Sequence, residues 1–212
     1  MGKSAPFVIT ISRQLGSGGA YIGQQLATRL KIYYADREII SQTAKQLSAL
    51  EGEVEARDEK KTLFWQAFAQ SMLQSFAFSS PAEYVPPPIN VLTDSDIFHS
   101  EAEVIERIAR GRSAVIIGRC GSYILRAHPS HTRIFLYGDA GIRNKRIQKL
   151  YSLSEPAAAS MIAKSDGERA SYNRTFTGMD WADARQYDLC IDTGKLEIDR
   201  GVDLIMKYLE LS

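Results

Sequence analysis

Residues 12–23, SRQLGSGGAYIG, put three glycines into four positions between an apolar run and a helix-period pattern. Glycine there lets the backbone approach an anion closely, and a helix start adds unpaired N–H donors and a favourable dipole. On the phosphate-loop spacing G-x-x-x-x-G-K-[ST], Arg13 stands at the first position, Gly18 at the sixth, and Gly19 where the lysine belongs. Ser12, Gly16, Ser17, Gly18, Gly19 and Ala20 are then the residues whose backbone would wrap a polyphosphate. The dinucleotide pattern G-x-G-x-x-G also fits Gly16 and Gly18, but meets Tyr21 at its third glycine. Asp36 falls about where that pattern places its ribose-binding acid. A tight turn without a ligand is the third reading, and the loop alone leaves all three open. The GKS at 2–4 follows no strand and is assigned to a disordered N-terminus.

The missing lysine directs attention to other cations. Arg13 follows the first apolar run directly, so its guanidinium could turn back over the loop and grip phosphate bidentately. A surface cation at a strand end is the alternative. Arg119 ends another such run in IIGRC, at the sheet edge where ligands of open α/β sheets bind. The three histidines, His99, His128 and His131, show neither metal-ligand spacing nor triad partners, so metal and nucleophilic chemistry are not expected.

These residues need elements to hold them. Five short runs, FVITI (7–11), IYYA (32–35), SAVII (113–117), TRIFLY (132–137) and DLCID (188–192), are nearly continuous in apolar character. That is the pattern of parallel strands buried on both faces, and the helical stretches between them predict an α/β fold. Ile22, Leu26 and Leu30 recur at i, i+4 and i+8 and predict a helix behind the glycine loop. Ser154 with Pro156 predicts another helix start. Residues 37–112 are too long for a simple crossover and are read as a helical insertion able to close over a substrate. Within it, Phe64, Phe68, Met72 and Phe76 form one stripe, SSPAEYVPPP marks a loop, and SEAEVIERIARG a short helix ending at Gly111. The stripe is read as core; exposed, it would make a homodimer.

Bulk properties bound the rest. The 212 residues suit one well-buried domain, 1–212. A net charge of +1 gives no basic field, so no nucleic-acid polymer is expected. No apolar run approaches the roughly 20 residues that span a bilayer, and none resembles a signal peptide. Cys120 and Cys190 lie far apart in no metal spacing, which together makes the cytoplasm the expected compartment.

VITISRQLGSGG, YYADREII, AVIIGRCGSYILR and DGERASYNRTFTGMDWADARQYDLCIDT together resemble the cytidylate kinase-like family, relatives of nucleoside-monophosphate kinases within the P-loop class. The most specific part is the ordered set Arg169, Tyr172, Gly178, Asp180, Trp181, Tyr187, Asp188. The resemblance implies a three-layer α/β P-loop fold with five parallel strands, an acceptor-binding insertion (37–112) and an arginine-bearing lid (139–180). It implies transfer of the γ-phosphoryl of ATP, as a magnesium (Mg2+) complex, to a nucleoside monophosphate such as CMP or dCMP. On the family pattern Arg37 would hold the acceptor phosphate and Asp36 a base or sugar group, unless Asp36 merely caps the helix REIISQTAKQL. Arg143 and Arg146, three apart on one helix face, resemble the lid arginines that descend on transferring phosphates, or else form a solvated face. Asp166 and Arg169 match a pair used on the acceptor nucleotide; the plainer reading is an i,i+3 salt bridge.

Departures from the pattern are equally specific. Relatives resemble DGRD where this chain has Ile117 and Cys120 around a matching Arg119, and the loop carries Ala20 and Tyr21 where a magnesium-binding hydroxyl is usual. Losing one such preorganised group typically costs ~3 kcal/mol, or roughly 10²–10³ in rate. Either the arginines substitute, giving an active phosphotransferase, or the chain is a nucleotide-binding regulatory module.

Overall fold

A computed structural model of the protein describes residues 5–52, 64–67 and 95–211. All five predicted strands form: β1 (Val8–Arg13), β2 (Tyr33–Ala35), β3 (Ala114–Ile117), β4 (His131–Tyr137) and β5 (Leu189–Asp192). They make one sheet in the order β2-β3-β1-β4-β5, and every pairing is parallel. Because β3 lies between β1 and β2, this is not the dinucleotide-binding order, in which β1 and β2 are neighbours. The dinucleotide reading of the glycine loop fails on that topology.

Helices cover both faces, as strands apolar on both sides require. On one face α1 (Gly19–Leu30) and α7 (Ile198–Leu211) bury Ile22, Leu26, Val202 and Ile205 against Ile9, Ile11, Val115, Ile117, Ile134 and Leu136. Burying a side chain of this size contributes about 1.5–3 kcal/mol, so the helix behind the glycine loop is anchored by its sequence period. On the other face α2 (Arg37–Gly52) and α3 (Ser95–Gly111) pack Ile40, Ala44, Leu47, Val104, Ile105 and Ile108 on Val8, Ala35, Ala114 and Ile116. Trp65 joins this cluster and Phe64 packs against it. Phe68, Met72, Phe76 and the SSPAEYVPPP loop lie outside the described residues.

A short helix, α4 (Gly121–Ile124), leaves β3. Beyond β4, α5 (Ala140–Tyr151) and α6 (Glu155–Thr177) form a helical hairpin closed by Ile147, Ala158 and Ile162. Asp139 caps α5 through the amides of Gly141 and Ile142. Helix α6 begins after Ser154 with Pro in its first turn, and Gly178 ends it in a left-handed conformation. Trp181 and Tyr187, from the segment between α6 and β5, cover Phe135.

The chain leaves β1 toward β2 on one side and leaves β3 toward β4 on the other. Where such connections diverge, a crevice opens at the carboxyl ends of the strands. The glycine loop, Arg37 and Arg119 all stand at that edge.

Candidate functional site

The glycine loop is held by its outside. Gln14 donates its amide to Leu136 O, and Ser17 donates both its amide (3.3 Å) and its hydroxyl (2.8 Å) to Gln14 O. Gly16 and Gly18 adopt φ of 82° and 78°, values that side chains rarely tolerate. No side chain caps α1 at Gly18. The amides of Gly19, Ala20 and Tyr21 therefore have no intrahelical acceptor and are available to an anion. Tyr21 itself turns away and donates its hydroxyl to Asp199.

Arg143, Arg146 and Asp166 brace this loop from behind. Arg143, buried, donates to Leu15 O (3.0 Å), Gly138 O (3.0 Å) and Asp166 Oδ2 (2.7 Å). Arg146 donates to Gly16 O and to both the carbonyl and hydroxyl oxygens of Thr193. Asp166 Oδ1 accepts the Leu15 amide (2.8 Å) and an Arg169 N–H (3.1 Å). Two arginines thus pin loop carbonyls outward, which leaves amide hydrogens to line the concave side. The helix phase that put Arg143 and Arg146 on one face is observed, but in this structure that face meets the back of the loop. Asp166 and Arg169 form the i,i+3 pair, extended to Leu15 and Arg143.

Across the loop lies a crevice lined by Arg13, Arg37, Arg119 and Arg169, with Ser12, Gly118, Tyr172 and Trp181. The arginines come from the ends of β1, β2 and β3 and from α6, so the sheet edge brings together residues up to 156 positions apart in sequence. Glu168 is the carboxylate in the lining. Burial first, then the Arg169 charge, pulls the Arg13 guanidinium down to about 9. Arg37 and Arg169 are also lowered, mainly by burial. Three cations share low-dielectric space, an arrangement that a bound anion would relieve.

Arg13 makes no ion pair among the described residues. Its stem lies on Gly19, where a Cβ would stand 2.6 Å from Arg13 Cγ. Its Nη1 lies against Gly118, so a Cβ there would displace the guanidinium. Asp36 is buried and accepts the Ile39 amide at 3.0 Å, so it does cap α2.

Arg119 differs from the other three. Its Nη2 meets Glu101 Oε1 at 3.1 Å and Ser41 Oγ at 2.6 Å, and its guanidinium lies 5.0 Å from the Tyr172 ring centre. Among the described residues its buried Nε–H has no partner. Gly118, Arg119 and Cys120 run in succession at φ of 75°, 51° and 54°. Two consecutive non-glycine residues in the left-handed region store strain, which clusters at ligand sites.

Glu101, which holds Arg119 and Tyr172 of the crevice, is the residue that sequence reasoning missed. It is fully buried and accepts from Ser41 (2.7 Å), Tyr172 (2.6 Å) and Arg119. A signal was present: Glu101, Ile105 and Ile108 share the apolar stripe of α3, and an acid on such a stripe demands a buried partner. The Tyr172 hydroxyl is raised by burial and by Glu101, so it stays a donor.

The donor set fits a polyphosphate better than a protein-held magnesium ion. Ala20 and Tyr21 supply no hydroxyl toward the loop, and Ile117 is buried among apolar side chains. Among the described residues no three His, Cys, Asp or Glu side chains converge on a metal position.

A glycine loop after the first strand of a five-stranded parallel sheet, with a ligand crevice at the strand ends, defines the P-loop kinase fold. Shikimate kinase from Bacteroides thetaiotaomicron shares that fold, with a TM-score of 0.52 and 12% identity over 96% of this chain and 98% of its own. An uncharacterized protein from Eubacterium ventriosum ATCC 27560 is more alike, with a TM-score of 0.70 and 25% identity over 96% of this chain and 98% of its own. No curated protein matches the sequence. The model of the cytidylate kinase-like family matches residues 8–195, and the chain belongs to that family. No helix among the described residues is long and apolar enough to cross a membrane.

Proposed function

We propose that the protein is an ATP-dependent phosphotransferase acting on a small anionic acceptor, for which nucleoside monophosphates such as CMP and dCMP are the first class to test. The observation that carries this reading is the convergence of Arg13, Arg37 and Arg169 in a crevice beside unpaired amides of the glycine loop. Phosphoryl transfer asks a protein mainly for positioning and charge neutralisation. The acceptor oxygen attacks the γ-phosphorus as the bond to the β-phosphate oxygen breaks, and ADP leaves. In this reading the amides of Gly19, Ala20 and Tyr21 receive the ATP phosphates, while Arg37, Arg119 and Arg169 hold the acceptor. Magnesium would arrive on ATP, held by phosphate and water. The partners are small molecules, and the cytoplasm is the compartment where ATP and such acceptors are supplied.

A coupled assay of ADP release across CMP, dCMP, UMP and other small acceptors tests the proposal. Acceptor-dependent release supports it. Measurable ATP binding without turnover on any acceptor favours the second reading, a nucleotide-binding regulatory module. That reading draws on Ala20, Tyr21 and Ile117, which offer magnesium nothing.

A further inference from the structure

We propose that the phosphate loop has exchanged its cation and its first glycine: Arg13 fills the space of the missing lysine side chain, and Gly19 is glycine because Arg13 is there. The inference rests on the phosphotransferase reading and adds which side chain replaces the lysine, and why it must come from the opposite end of the loop.

The ordinary loop has glycine at the first position and lysine at the seventh. Here those positions hold Arg13 and Gly19, a reciprocal swap of a small residue and a cation. The structure makes the two choices interdependent. A Cβ at position 19 would stand 2.6 Å from Arg13 Cγ, 2.9 Å from its Cβ and 3.4 Å from its Cδ. The arginine stem therefore runs through the volume from which a position-19 side chain would grow. At its far end the guanidinium lies on Gly118, a position that a side chain would close to it. Two glycines, one at the start of α1 and one after β3, thus form the channel through which Arg13 reaches the crevice. It arrives beside Arg37 and Arg169, among the described residues without an ion-paired carboxylate. The buried carboxylate of Asp36 acts on Arg13 without pairing it, which leaves a desolvated cation beside like charges that a bound anion would complete. The position of Arg13 between the loop amides and the acceptor crevice makes the phosphoryl group in transit that anion, and makes Arg13 a catalytic residue.

The test is a set of five variants of the protein: Arg13→Gly, Gly19→Lys, Gly19→Ala, and the double variants Arg13→Gly/Gly19→Ala and Arg13→Gly/Gly19→Lys. ATP binding is followed by calorimetry and folding by thermal melts. Arg13→Gly should weaken ATP roughly 10–100-fold, the range for losing charge-assisted hydrogen bonds. Gly19→Lys alone should melt lower and bind no better, because its stem collides with Arg13. The double variant Arg13→Gly/Gly19→Lys, which restores glycine first and lysine seventh, should recover to within about tenfold of the parent, a non-additivity diagnostic of shared space. Gly19→Ala should lower the melting temperature by about 2–10 °C in the parent, and by clearly less in the Arg13→Gly background. That melting comparison needs no ligand. Unchanged ATP affinity in Arg13→Gly, or strictly additive effects of the two positions, would overturn the exchange while leaving the kinase reading standing. A parent protein that binds no ATP would overturn both.

Discussion

Glu101 receives three donors and has no exposed surface, so its neighbours depend on its charge. Removing one member of a buried ion pair leaves the other uncompensated, typically at 3–5 kcal/mol. Glu101→Ala should therefore lose about that much stability in denaturant titration, whereas Glu101→Gln, which keeps an acceptor oxygen, should lose less. Equal losses would mean that shape rather than charge holds Arg119. A second residue-scale expectation concerns the thiols. Burial pushes Cys120 up to about 12, while Cys190 is exposed. Alkylation of the native protein should label Cys190 alone, with Cys120 reacting only on unfolding. Arginine identities and their strand-end positions were legible in the sequence because the apolar runs mark where strands stop. Their partners were not, since whether Arg143 faces phosphate or the back of a loop depends on how α5 docks, a tertiary fact. Glu101 was readable in part, as the one acid on an apolar stripe.

At the scale of elements, α6 does two jobs from one rigid cylinder. Asp166 near its middle holds the Leu15 amide of the glycine loop, and Tyr172, further along, holds Glu101 of α3. Asp166→Asn would replace an acceptor of three donors with a group that accepts at one oxygen only. It should weaken ATP binding about tenfold or more by loosening the loop, with a smaller change in acceptor KM. A uniform loss in both would argue for general destabilisation. Strand β4 is tied to β1 through His131, whose Nε2 meets the Thr10 hydroxyl at 2.8 Å while Nδ1 donates to Leu125 O. Burial pushes this histidine down to about 4, against the opposing pull of the Leu125 carbonyl. The unfolded chain takes up the proton near pH 6.5 and the native protein only near pH 4, so stability is full above 6.5 and is lost progressively as pH falls toward 4. His131→Gln should flatten that part of the curve in melts from pH 7 to 4. Element types were read from period alone, and the five strands formed within two residues of the predicted runs. The order β2-β3-β1-β4-β5 was not readable from period, because periodicity says which faces are apolar and not which strand lies beside which.

Taken as a whole molecule, the protein gathers four arginines at one edge of a sheet while remaining almost neutral overall, with a net charge of +1. The positive field is therefore local to the crevice, which suits a small anion better than an extended polyanion. On the proposed function this edge transfers phosphate rather than only binding it. Coupled ADP release, measured with ATP, magnesium and a panel of nucleoside monophosphates and other small anionic acceptors, tests it most directly. Release should depend on one acceptor class and collapse in Arg13→Ala. ATP bound by the protein but never cleaved, whatever acceptor is supplied, would contradict it.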